Sequence, residues 1–157
     1  MNAYAFDEIH IGHTESFEIC ITKEKMDSFL RITGDINPMH LDSQYAKKSG
    51  FESRIVYGML SASFLSTFAG VYLPGKFCLL HEVALKFSNP VYVGDTLKIT
   101  GRVSEKQEAY QQITIKMIIE RIQREGGGGG DLCVKTKIAK GYIKAGVLKN
   151  CDNEEES

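Results

Sequence analysis

The stretch from Tyr57 to Leu73 constrains the fold of this chain more than any other. Its residues are small or apolar on nearly every side. A helix of that composition has no broad polar face to give to water, so it must be buried on most sides. It is about as long as a minimal membrane span, but Ser61, Ser63, Ser66 and Thr67 dilute its hydrophobicity, and a core helix is expected. Pro74-Gly75 ends it. Most of the chain beyond Gly75 reads as strand. Val83, Leu85 and Phe87 alternate with Glu82, Ala84 and Lys86 before the turn at Ser88-Asn89-Pro90. Val91 to Val93 leads into a second turn at Gly94-Asp95. Leu97, Ile99 and Val103 mark one long strand, and Ile113, Ile115, Met117 and Ile119 the next. Leu132, Val134, Thr136 and Ile138 mark another. Upstream, Glu15 to Ile21 alternates as a strand. Thr22 is predicted to cap a helix with Met26, Phe29 and Leu30 on one face, stopped by Gly34. Asp42 is predicted to cap a short helix through Lys48, ended by Gly50. Strands segregated from one apolar helix predict an α+β layer, an antiparallel sheet wrapped around that helix. The pattern alone leaves the strand order open.

The chain has 157 residues, enough for one domain, expected over residues 1–147. Residues 148–157 form an acidic, apolar-poor tail expected to be disordered. The net charge of -1 gives no reason to expect nucleic acid or a membrane as partner. Residues 1–12 carry Asp7 and Glu8 and no long apolar run, which argues against a secretory signal and makes the cytoplasm the default. Cys20, Cys78, Cys133 and Cys151 show no short spacing. Reduced cysteines packed as small hydrophobes are expected, and no metal site. The five glycines Gly126 to Gly130 precede a strand with no GK[ST], so they read as a hairpin connection rather than a phosphate loop.

The chemistry is concentrated in Gly34-Asp35-Ile36-Asn37-Pro38-Met39-His40. Asp35 and His40 lie five residues apart across a turn-forming Asn-Pro, so a bend can bring both to one site. A carboxylate and an imidazole together form a proton-transfer pair for work near neutral pH. Gly58 opens the apolar helix, where free N–H groups and a positive partial charge can hold a developing oxyanion. Taken singly, each has a plainer reading. Asp35 serves as a turn residue, His40 as a packed or surface histidine, and Ser66 as a hydroxyl bonded to its own helix.

The same string, with Phe29 and Leu30 before it and Ala46 after it, resembles the hydratase motif of the MaoC-like family of (R)-specific enoyl-CoA hydratases. Ile55-Val56-Tyr57-Gly58-Met59-Leu60 resembles the family's second block. Pro74-Gly75 and Asn89-Pro90-Val91-Tyr92-Val93-Gly94-Asp95 resemble its later strand and turn. The similarity runs from about Phe6 to Ile143. It implies a hot-dog fold, a long sheet around the Gly58 helix, and a homodimer with sites at the subunit interface. It implies Asp35 as the base that activates water, and His40 as the group that holds that water and manages the α-carbon proton. The Gly58 N–H is implied to bind the thioester oxygen, with Ser66 helping to fix the catalytic groups and Asn37 supporting the loop. No metal or prosthetic group is implied, and coenzyme A or acyl carrier protein enters as part of the acyl-thioester substrate. Tyr57 departs from the pattern, because the family commonly has His there. Position 57 is therefore expected to shape the thioester or pantetheine contact. Two other functions are consistent with the fold: an acyl-CoA thioesterase, and a non-catalytic acyl-CoA-binding module. The paired string weighs against the first.

Overall fold

A computed structural model describes residues 1–125 and 132–149. Strand β1 (Thr14–Cys20) leads into helix α1 (Lys23–Thr33). The Thr22 side chain accepts from the Lys25 N–H at its start, and Gly34 ends it in the left-handed region at φ 69°. Two short helices come next, α2 (Pro38–Leu41) and α3 (Ser43–Lys48). Helix α4 (Gly58–Thr67) succeeds them, continued by a wider π-helical turn over Phe68–Tyr72. Four strands complete the fold: β2 (Cys78–Phe87), β3 (Thr96–Gln107), β4 (Gln112–Glu125) and β5 (Leu132–Val147). They form one antiparallel sheet with β1, in the order β1-β3-β4-β5-β2.

The alternation expected from sequence sets the inner face of this sheet. Leu97, Ile99 and Val103 of β3, Ile115 and Met117 of β4, and Ile143 of β5 are all buried. With Leu60, Leu65 and Phe68 they form one continuous core. No helix among the described residues is long and apolar enough to cross a membrane. Gly101 lies on β3 where the Phe68 ring comes down on the sheet. A Cβ there would run into that ring and lie 2.8 Å from Met117 Sδ. Here glycine is required for close approach rather than for its backbone freedom.

The structure departs from the sequence reading in four places. The long apolar helix is interrupted, since regular α-helix stops at Thr67 and a π turn carries the chain to Tyr72. Asn37-Pro38, read as a turn, opens one helical turn over Pro38–Leu41, because the Asn37 side chain caps it and Pro at its start has no N–H to satisfy. The described cysteines are not packed as expected: Cys20 and Cys133 are exposed, and Cys78 is partly buried. Burial pushes its thiol up to about 11. Cys20 is exposed because it takes a solvent-facing position in β1, where Phe17 and Ile19 take the inner ones. Finally, the apolar residues of β2 alternate as expected, yet Val83 is 47% and Phe87 45% exposed, because β2 is an edge strand. The glycine connection at 126–130, Cys151 and most of the acidic tail lie outside the described residues.

Gly101→Ala is expected to cost about 1–3 kcal/mol by overpacking. Gly70→Ala, with open space around the added methyl, is expected to be neutral or slightly stabilising. Denaturant unfolding of both variants checks this.

Candidate active site

The site begins as a hydrogen-bonded bend. Asp35 Oδ1 accepts from the Asn37 N–H at 3.0 Å, which closes an Asx turn and leaves Oδ2 for other partners. Asn37 Oδ1 in turn accepts from the Met39 N–H at 2.9 Å. That bond starts α2 and puts His40 on its last turn. The ring is then fixed from outside: His40 Nδ1 lies 2.8 Å from the Ile55 carbonyl oxygen. A carbonyl only accepts, so Nδ1 carries the proton and Nε2 is the nitrogen available for chemistry.

Tyr57 ties this bend to the start of α4. It is 2% exposed, and its ring lies 4.1 Å centroid to centroid from His40, with Phe29 behind it at 5.1 Å. Its hydroxyl donates to the Asp35 backbone carbonyl at 3.0 Å. One side chain therefore touches the imidazole and holds the backbone of the carboxylate. Burial, and then the Asp35 charge, pushes the Tyr57 phenol above its ordinary value, so it stays a neutral donor.

Two clefts meet at this point. One, of about 410 Å³, is lined by Asp35, His40, Tyr57 and Gly58, with Phe29 and Phe87 on its sides. The other, of about 310 Å³, shares His40, Gly58 and Phe87 and continues between apolar walls that include Val56, Val91 and Ile138. The Leu60 amide donates back to the Tyr57 carbonyl at 3.0 Å, and Gly58 opens the turn, where the leading amides of a helix have no carbonyl before them to bond. Gly58 has ordinary backbone geometry, and a Cβ there would make normal contact with the Phe87 ring at 3.5 Å.

The bend thus brings together Asp35, His40, Tyr57 and Gly58, with Asn37 beneath them in the hydrogen bonding. Ser66 is not brought in: it is exposed on α4 and lines neither cleft. Ser61 is the serine that does line a cleft. It is 1% exposed, and its Oγ has no partner among the described residues. Sequence reasoning passed over it, although it stands one turn after Gly58 on the same helix face. Phe87 was missed as well, since it reaches the site from an edge strand far along the chain. Among the described residues, no group of three or more His, Cys, Asp or Glu is placed to hold a metal ion.

Tyr57→Phe keeps the packing and removes one hydrogen bond. We expect a loss of about 1 kcal/mol in denaturant unfolding, with faster amide exchange confined to residues 34–40.

The family described as MaoC like domain matches residues 9–123. An (R)-specific enoyl-CoA hydratase from Rhodospirillum rubrum is 37% identical over 106 residues, covering 65% of this chain and 74% of that protein. Among solved structures, an R-hydratase from Pseudomonas aeruginosa in the unliganded form has a TM-score of 0.79 at 25% identity, covering 93% of this chain and 86% of that one. An (R)-hydratase from A. caviae involved in PHA biosynthesis has a TM-score of 0.76 at 27% identity, covering 88% and 97%. Sheet, central helix and likeness together give the hot-dog fold, and the chain belongs to the MaoC-like domain family.

Proposed function

We propose that this chain is a hydro-lyase that reversibly hydrates a trans-2-enoyl thioester to the (R)-3-hydroxyacyl thioester, with Asp35 and His40 as its acid–base pair. The observation that carries the reading is one cleft lined by a carboxylate, an imidazole and the first residue of the core helix. The named relatives support the reaction class.

In this reading water sits between Asp35 and His40 Nε2. Asp35 takes a proton from it as the water oxygen bonds C3 of the enoyl group. The C2=C3 electron pair moves toward the thioester oxygen, where the Gly58 N–H at the helix start meets the growing negative charge. His40 enters the hydration step as the imidazolium, with Nδ1–H on the Ile55 carbonyl and Nε2–H toward the substrate. It delivers the Nε2 proton to C2, and the proton held by Asp35 then restores the imidazolium. One H and one OH have been added, and the reverse order dehydrates. The Nδ1–H bond to Ile55 stabilises the charged imidazolium and keeps the ring oriented. Asn37 supports the bend, and Tyr57 borders the thioester contact while steadying both groups. The apolar cleft beyond Phe87 suits the acyl tail. Coenzyme A or acyl carrier protein is part of the substrate, and the chemistry needs no further cofactor.

We also propose that the working form is a homodimer. The apolar residues bared along the β2 edge, Val83 and Phe87 with Leu79 at 50% exposure, support this, because an uncovered apolar edge strand invites pairing. Ser66 has a part only if a second copy closes over α4.

Asp35→Asn and His40→Ala are each expected to fold normally and to lose about 10²–10⁴-fold in crotonyl-CoA hydration, monitored by loss of enoyl absorbance. Near wild-type rates in both would reject the assignment. Sedimentation is expected to give twice the chain mass for the wild type and a shift toward monomer for Val83→Asp.

A further inference from the structure

A groove lies on the outer face of the sheet, away from the catalytic bend. It has a volume of about 630 Å³. Lys86, Lys116, Lys137, Lys140 and Lys144 line it, and Glu105 is the one carboxylate among its walls. Its floor includes Ile118, 39% exposed, and Tyr142. The whole chain carries 19 Lys and Arg against 20 Asp and Glu, so this concentration is a local segregation of charge.

Part of the arrangement serves folding, since Lys144 stands opposite Glu82 on β2 and Lys137 opposite Glu120 on β4, but one facing pair of lysines does not. Lys86 and Lys140 stand directly opposite one another across the β2–β5 pair. Like charges in that register destabilise a sheet. Lys144 is relieved by Glu82 at 2.8 Å, the only ion pair that any of the five makes among the described residues. A row of lysines over apolar side chains complements a surface that is acidic with some apolar content.

The groove also backs directly onto the catalytic clefts. Lys86 precedes Phe87 and Lys137 precedes Ile138, and each lysine lines the groove while its neighbour lines the cleft, by alternation on β2 and at a bulge on β5. The turn after β2 joins the two sides, since Asn89, a cleft residue, donates through Nδ2 to the Lys137 carbonyl at 2.8 Å. A small thiol carrier lying in the cleft meets the inner face only. A globular carrier can grip the outer face while its arm passes the turn at Ser88–Pro90.

We propose that this basic groove docks the acidic surface of a carrier protein that presents the acyl thioester to the site behind it. The docking partner rests on the hydration reading above, and the test separates the two.

Crotonyl groups on acyl carrier protein and on coenzyme A are offered to the wild type, to Lys86→Gln/Lys140→Gln and to Lys140→Glu. For the carrier-bound substrate, KM is expected to rise about 10-fold in the variants, and in the wild type with added salt, while kcat holds. Kinetics on crotonyl-CoA are expected to stay unchanged, and the Gln pair is expected to melt no lower than wild type. Unchanged KM for the carrier-bound substrate overturns the proposal. So does an equal rise on crotonyl-CoA, which would make the groove a nucleotide site, or competition by duplex DNA alone. If the wild type hydrates neither substrate, the functional reading fails. Fluorescence anisotropy of labelled acyl carrier protein still decides the docking, with binding expected for the wild type and lost in the Gln pair, and absence of wild-type binding refuting it.

Discussion

The contact of Tyr57 with two parts of one bend organises the rest of the site. Asp35 lies just after α1, His40 on a helix of a single turn, and Gly58 at the start of the core helix. None of these elements packs broadly on another. The tyrosine ring fills the space under His40, and its hydroxyl fixes the Asp35 carbonyl, so the bend and the helix start are held as a unit. This is preorganisation in its simplest form: groups set in place by a buried side chain before any ligand arrives. It also gives Tyr57, the residue that departs from the expected pattern, a physical role. A ring with a terminal donor reaches a partner across the bend.

Much of this was legible in the sequence because it rests on local rules. Thr22 as a cap, Gly34 as a left-handed stop and Asp42 as a second cap are choices a few residues make among themselves. Alternation fixed which side of β3 and β4 faces the core. The gathering of Asp35 and His40 was legible too, since Asn-Pro between them forces a turn. What the sequence hid depends on contacts between distant segments. Phe87 and Ser61 line the site because β2 and α4 meet there, and no local pattern announces such a meeting. The exposure of Val83 comes from the strand order, which alternation does not encode. Ser66, singled out by motif position, points instead to a surface that a single copy leaves open.

The charge distribution was hidden for a related reason. A net charge of -1 gave no reason to expect nucleic acid or a membrane as partner, and says nothing of how charge is distributed. Only the register of β2, β4 and β5 gathers lysines scattered over some sixty positions into one groove. The protein thus has two faces of different character across one sheet. The inner face is apolar and packs on the core helix. The outer face gathers lysines and keeps one pair, Lys86 and Lys140, directly opposed, a pair more readily understood as part of a binding surface than as a stabilising one.

The central claim is that the carboxylate and imidazole add water across an enoyl double bond from one fixed side. Product analysis after turnover of crotonyl-CoA in deuterium oxide tests this most directly. Addition from that side requires (R)-3-hydroxybutyryl-CoA carrying deuterium at C2. An S product, or free coenzyme A thiol with the enoyl group intact, would contradict it.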